Sequence, residues 1–226
     1  MSEIEALRKE LFDPTYVKDG FLRRNINIYN SKLPSTGTSV PHIKEIAKKY
    51  AADGKLVLDE IPLSESVEMT MVFLMIGLKR EKAFAKKMDF LRSYLPLADS
   101  WAETDLCPQF IKLPPLEDYK PYFEEFIRSP YPYVRRFAYV YAIGYYRDPH
   151  SPYFLRHIYK DKEDCVTLAE AWLLATMAIT NFDDVVSFLK SSKPTAILKK
   201  KTISKCIESF RITEEEKTLL RALRNN

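Results

Sequence analysis

Glycine is scarce: five residues in 226, against fourteen prolines that fall mostly between apolar-periodic segments. Prolines so placed start and stop helices rather than form a Pro-rich linker, so the chain is read as mostly α. Cysteine is scarcer. Cys107, Cys165 and Cys206 are odd in number, widely spaced and form no CxxC, which excludes a disulfide framework and predicts reduced, buried thiols in a cytoplasmic protein. Long apolar runs are missing too. The longest uncharged one, residues 69–78, is far short of the roughly 20 residues that span a bilayer. The first five residues carry two glutamates where a signal peptide carries bases, so no secretory leader is expected. HExxH, GxGxxG, GxxxxGK[ST] and GxSxG are all absent, removing zinc protease, dinucleotide, P-loop and serine hydrolase chemistry. His42, His150 and His157 do not stand at helical ligand spacing with carboxylates, so neither a metal nor a cofactor is expected.

What remains is globular in composition, with 46% apolar and 13% aromatic residues. A chain of this length buries one sizeable core or forms one elongated array of repeats. The net charge of +4 with a pI near 8.8 is compatible with a polyanionic partner without demanding one.

Apolar periodicity predicts helices over residues 2–12 and from 14 toward 24, a loop over 30–40, and a well-patterned helix over 41–52 with Ile43, Ile46, Ala47 and Tyr50 as its stripe. Ser64 is expected to cap a helix over 65–79. Further helices are expected over 81–94, 97–112, 116–128, 132–146, 152–159, 163–180, 183–190, 194–210 and 213–224, with Pro108 kinking or ending the 97–112 helix early. No stretch reads as a strand. The helices pair as short hairpins, and comparable positions recur: Arg136 follows Trp101 by 35 residues (136 − 101), and Trp172 follows Arg136 by 36 (172 − 136). Gly77 and Gly144, 67 apart (144 − 77), span nearly two such periods. A two-helix period in the thirties is the signature of an α-solenoid. It places Trp101, Arg136 and Trp172 on equivalent helices looking into one concave surface.

Trp101 and Asp105 are one helical turn apart and share a face, with Ala98 and Gln109 in the same sector. Ala102, Leu106, Phe110 and Leu113 form the neighbouring apolar stripe. Glu103 points elsewhere, so no paired-carboxylate site is formed. Without context, Asp105 is a solvated or Arg-paired acid. Arg136 lies in an apolar sector and needs an anion, either a phosphate or a carboxylate such as Asp105, with comparable weight for each. Arg135 points about 100° away and reads as a surface charge. Trp172, by its neighbours Leu168, Ala169, Thr176 and Ile179, reads as core. Lys199, Lys200 and Lys201, with Lys205 and Arg211, are the densest basic patch, either a solvated helix face or a DNA-backbone contact.

Several pieces in order resemble the bacterial DNA alkylation repair family of HEAT-like-repeat DNA glycosylases. They are Ser39-Val40-Pro41 leading into Ile43 through Lys48, Trp101-x-x-x-Asp105, Arg135-Arg136-Phe137-Ala138, Ala171-Trp172-Leu173-Leu174 and Glu208-Ser209-Phe210-Arg211. The resemblance covers essentially the whole chain and implies a single all-α, HEAT-like-repeat domain over residues 1–226, whose concave face takes duplex DNA. It implies excision of cationic N3- or N7-alkylpurines by hydrolysis of the N-glycosidic bond. Asp105 is then the catalytic carboxylate, Trp101 and Trp172 the aromatic walls at the lesion nucleotide, Arg136 a phosphate contact and Tyr29 an N-terminal contact. The expected partner is alkylated double-stranded DNA, bound by a monomer, with no membrane involved. The alternative is a non-catalytic HEAT-like protein that binds branched or damaged DNA; a protein-binding solenoid is more remote.

Overall fold

A computed structural model of the chain describes residues 2–17, 31–158 and 161–225. Tyr29 and the stretch of the second expected helix beyond residue 17 lie outside these residues. The described residues are all-α, with one isolated antiparallel bridge, Val17 to Thr38, and no strand among them. The chain divides into two compact units, Met1–Lys112 and Leu113–Asn226.

The first unit holds α1 (Glu3–Leu11), α2 (Val40–Asp53), α3 (Val67–Arg80), α4 (Phe84–Tyr94) and α5 (Trp101–Asp105). Helix α3 is its spine: every residue from Val67 to Leu78 is buried, and α2, α4 and α5 all pack against it. A helix apolar all round belongs in the interior. Gly77 is required where α4 crosses, because a Cβ there would stand 2.2 Å from the Phe90 ring. Arg80 ties α3 to the end of α2, donating to the carbonyls of Leu56 at 2.7 Å and Tyr50 at 3.0 Å.

Three expected boundaries shift. The cap of α3 is Ser66, whose Oγ accepts from Met69 N at 3.1 Å, and not Ser64. Glu65 N bonds back to Pro62 O, so the chain is still turning there and the helix starts two residues later. Helix α4 begins at Phe84, since Glu81 N bonds to Gly77 O and ends α3, leaving residues 81–83 as the connection. The helix expected over 97–112 is three pieces: a 3₁₀ turn at Leu95–Leu97, the five-residue α5, and a 3₁₀ turn at Cys107–Phe110. Pro108 has no N–H for the Thr104 carbonyl, so the α ladder stops.

The second unit holds α6 (Leu116–Phe126), α7 (Pro132–Ala142), α8 (Asp164–Met177), α9 (Phe182–Lys190), α10 (Ala196–Glu208) and α11 (Glu214–Asn225). Helix α8 packs against α7 on one side and α10 on the other, while α6, α9 and α11 pack on α7, α8 and α10 respectively. The expected 152–159 helix is a 3₁₀ segment, Ser151–His157. An aromatic cluster fills the core between α6 and α7: Tyr119 lies 4.7 Å from Tyr141 and Phe123 lies 4.8 Å from Phe154. The buried Tyr119 hydroxyl is satisfied by Ala138 O at 2.9 Å. Gly144 passes under Leu113, whose methyl would stand 2.7 Å from an added Cβ.

Candidate functional site

In the first unit, Trp101 and Asp105 are the first and last residues of α5. Both are half-buried, whereas the three residues between them, Ala102, Glu103 and Thr104, are buried. The expectation that the two share an accessible sector beside an apolar stripe is met for this one turn. So short a helix cannot stand by propagation; it is fixed by its cap. Ser100 Oγ accepts from Ala102 N at 3.2 Å, and Glu103 Oε2 accepts from the N–H groups of Asp99 and Ser100, each at 2.9 Å. This is a reciprocal capping box. Asp99 in turn receives Ser31 Oγ at 2.6 Å and Lys32 N at 2.8 Å, so the same turn anchors the segment entering from residue 31.

Burial pushes the Glu103 carboxyl up to about 7, even though the two amides favour its ionised form. Glu103 therefore serves as the cap of this turn. Asp105 has a different environment: the Thr104 hydroxyl lies 3.1 Å from Asp105 Oδ1 and 3.1 Å from Trp101 O. One hydroxyl proton serves one of these acceptors at a time. Cys107 is buried and donates to Glu103 O at 3.2 Å; burial, with the charges of Glu103 and Asp105, raises its thiol far above the ordinary range.

In the second unit, Arg136 is buried on α7 and its Nη1 donates to the Cys165 carbonyl at 2.6 Å. It thereby reaches the first turn of α8, the helix that carries Trp172. Arg135, expected as a surface charge, is a clamp: it forms a bidentate pair with Asp161 at 2.7 and 3.1 Å and donates to the carbonyls of Ser129 and Pro130. Helical phase placed it away from Arg136, but the loop bearing Asp161 folds over that side. Trp172 also departs from expectation. It is 41% exposed on a mostly buried helix and opens onto a groove of about 270 Å³ lined by Ala175, Thr176, Ile179, Lys205, Glu208, Ser209, Phe210 and Arg211. Within the basic patch, Lys201 pairs with Asp164 at 2.9 Å, Lys200 is exposed, and Lys199 and Lys205 are half-buried.

Sequence reasoning missed three features. The Ser100-x-x-Glu103 spacing is a legible capping signature. Glu68, 1% exposed, accepts from Ser35 Oγ at 2.6 Å and from the N–H groups of Thr36 and Gly37 at 3.1 Å; a lone acid inside the apolar run after Ser66 was its only trace. That Phe210 and Trp172 line one groove had no local signal. Among the described residues, no cluster of three or more His, Cys, Asp or Glu is arranged to hold a metal ion, and no helix is long and apolar enough to cross a membrane.

An all-α chain with an accessible Trp–Asp pair on a capped turn and an exposed tryptophan above lysine and arginine has the features of a helical nucleic-acid-processing protein. The family model described as DNA alkylation repair enzyme matches residues 16–210. The chain belongs to that family, which makes it an enzyme of DNA alkylation repair with DNA as its partner. No curated protein matches the chain in sequence.

Proposed function

We propose that the protein is a DNA glycosylase that hydrolyses the N-glycosidic bond of cationic N3- or N7-alkylpurines in duplex DNA. The observation that carries this reading is the pair Trp101 and Asp105, accessible at the two ends of a turn whose intervening residues are buried and capped, in a member of the alkylation repair family.

The residue types suit the reaction. The cationic base leaves with the electron pair of the broken C1′–N bond and becomes neutral, so no general acid is required. Positive charge develops on the sugar, and the Asp105 carboxylate stabilises it electrostatically. Water adds to C1′ and gives its proton to Asp105 or to solvent. Trp101 and Trp172 offer π faces, which attract cations. Arg136 is assigned a phosphate contact, and Lys199, Lys200, Lys201 and Lys205 backbone contacts. Glu103 is reserved for the cap, leaving Asp105 as the single reacting carboxylate. The protein acts as a monomer, in a single HEAT-like-repeat domain.

The test is release of free base from methylated duplex DNA, followed chromatographically. Wild type is expected to release 7-methylguanine or 3-methyladenine, and Asp105→Asn to lower the rate by about 100-fold or more with an unchanged thermal midpoint. Release no faster than the spontaneous rate overturns the reading; salt-sensitive DNA binding without release would instead mark a non-catalytic damaged-DNA binder.

A further inference from the structure

The groove beside Trp172 carries two residues for which the excision reaction has no use. Phe210 is 93% exposed and Arg211 is exposed beside it, on the turn that follows α10. That turn is fixed rather than frayed. Ser209 N bonds to Cys206 O at 3.1 Å, Arg211 N bonds to Ser209 Oγ at 3.2 Å, and the next residue, Ile212, is buried. The phenyl ring is therefore held in solvent by the fold, at a standing cost in hydration. Isolated exposed apolar residues are ordinary. Here two large aromatics, Phe210 and Trp172, line one groove with Lys205 and Arg211.

A second observation concerns charge. The guanidinium carbons of Arg147 and Arg211 stand 5.2 and 5.7 Å from the centroid of the same ring, Tyr146. Neither arginine has a carboxylate ion-pair partner among the described residues, although Glu208 lines the groove. Arg211 lines the groove and Arg147 shares the Tyr146 ring with it, so two like charges stand close together, an arrangement that favours an anion. At about 270 Å³ the groove is below the roughly 300–1,000 Å³ of pockets that enclose drug-sized ligands, so it suits one planar ring system rather than a larger molecule. The Thr176 hydroxyl is committed to Trp172 O at 2.9 Å, leaving ring faces and cations as the recognition elements. Aromatic platforms joined to cations are how proteins hold unpaired bases without reading their sequence.

We propose that this groove binds one unpaired nucleotide of a DNA strand, with its base against Phe210 and Trp172 and its phosphate on Arg211 and Lys205. The proposal rests on DNA being the partner; it shares Trp172 and Lys205 with the proposed excision site, and Phe210 and Arg211 are the residues whose substitution separates the two. It assigns the α10–α11 turn as a site for DNA whose pairing is already broken, such as a bulge or a single-stranded gap.

The test uses the full chain and three probes: a duplex with a single-nucleotide bulge, the same duplex fully paired, and free thymidine monophosphate. Binding is read by anisotropy, and occupancy of the groove by quenching of Trp172 fluorescence in a Trp101→Phe background. The bulged duplex is expected to quench Trp172 and to bind more tightly than the paired one. Phe210→Ala is expected to weaken bulge binding by about 5- to 100-fold and to erase that preference. Because Phe210 lies outside the core, its thermal midpoint should not move. Arg211→Gln is expected to reduce the salt slope by about one. Equal losses on both duplexes, or no loss, overturns the proposal while leaving DNA binding intact. Quenching by the free nucleotide equal to that by the bulge overturns the strand assignment, and no binding to either duplex overturns this proposal and the DNA-partner reading together.

Discussion

Glu103 and Ser100 cap each other at the start of α5: Glu103 Oε2 takes the Ser100 N–H at 2.9 Å, and Ser100 Oγ takes an amide of the first turn. Five residues of helix have almost no cooperativity of their own. The positions of Trp101 and Asp105 are therefore set by this reciprocal pair and by the burial of Ala102, Glu103 and Thr104.

The cap carries a pH dependence. The Glu103 carboxyl rises from an ordinary value near 4.5 to about 7, because desolvation outweighs the two amide bonds. Between those values the folded state holds a proton that the unfolded state has lost. The contribution is fully present below about 4.5 and is lost as pH rises through about 7, amounting to a few kcal/mol at most. Glu103→Gln keeps an acceptor for the amides and does not titrate. Denaturant unfolding from pH 5 to pH 8 should show wild type losing stability relative to Glu103→Gln, with the difference levelling off above pH 8. Parallel profiles would show that the carboxyl is not shifted.

Thr104 is a lever on Asp105. Its buried hydroxyl donates to Asp105 Oδ1 or to Trp101 O, so the same proton orients the carboxylate or completes the turn. Thr104→Ser retains the donor and is expected to keep base release within about twofold of wild type. Thr104→Val removes it and should cost roughly tenfold in rate, the scale of one hydrogen bond of about 1.4 kcal/mol. Single-turnover release on methylated duplex distinguishes the two variants, and equal rates would remove Thr104 from the positioning of Asp105.

Arg135 is expected to matter for stability rather than for DNA binding. Its bidentate pair with Asp161 is mostly shielded, and two further bonds hold the carbonyls of Ser129 and Pro130. Arg135→Lys keeps the charge but loses the fork. It should lower unfolding stability by about 1–2 kcal/mol, and Arg135→Ala by about 2–3 kcal/mol, without a change in the salt slope of DNA binding. A drop in that slope would reassign Arg135 to the DNA.

These cases separate what is legible in a sequence from what is not. The all-α character, the α2 stripe of Ile43, Ile46, Ala47 and Tyr50 and the shared face of Trp101 and Asp105 follow from local periodicity, which the chain carries with it. Pro108 likewise announced the break after α5. Trp172 was misread because its α8 neighbours are apolar, while its exposure depends on how α10 and the following turn leave a groove open. Arg135 was misread because helical phase says nothing of a loop that brings Asp161 over it. The carbonyl partner of Arg136 is invisible for the same reason: Cys165 is 29 residues away, and backbone acceptors have no residue signature.

Glu68 illustrates the same limit and yields the last prediction. Inside a helix buried along its length, its carboxylate takes the Ser35 hydroxyl and the amides of Thr36 and Gly37, fixing the segment that leads into α2. Gly37 sits at φ 79°, a left-handed conformation that glycine adopts without penalty. Glu68→Ala leaves these donors without their acceptor and opens a void beside them. A loss of about 2–4 kcal/mol in unfolding stability is expected. Faster amide exchange should be concentrated at residues 35–37, with little change in the second unit. Glu68→Gln, which keeps one acceptor oxygen, should recover part of the protection. Exchange rates in the 35–37 turn that match wild type in the alanine variant would show that the turn is held by its own backbone and not by Glu68.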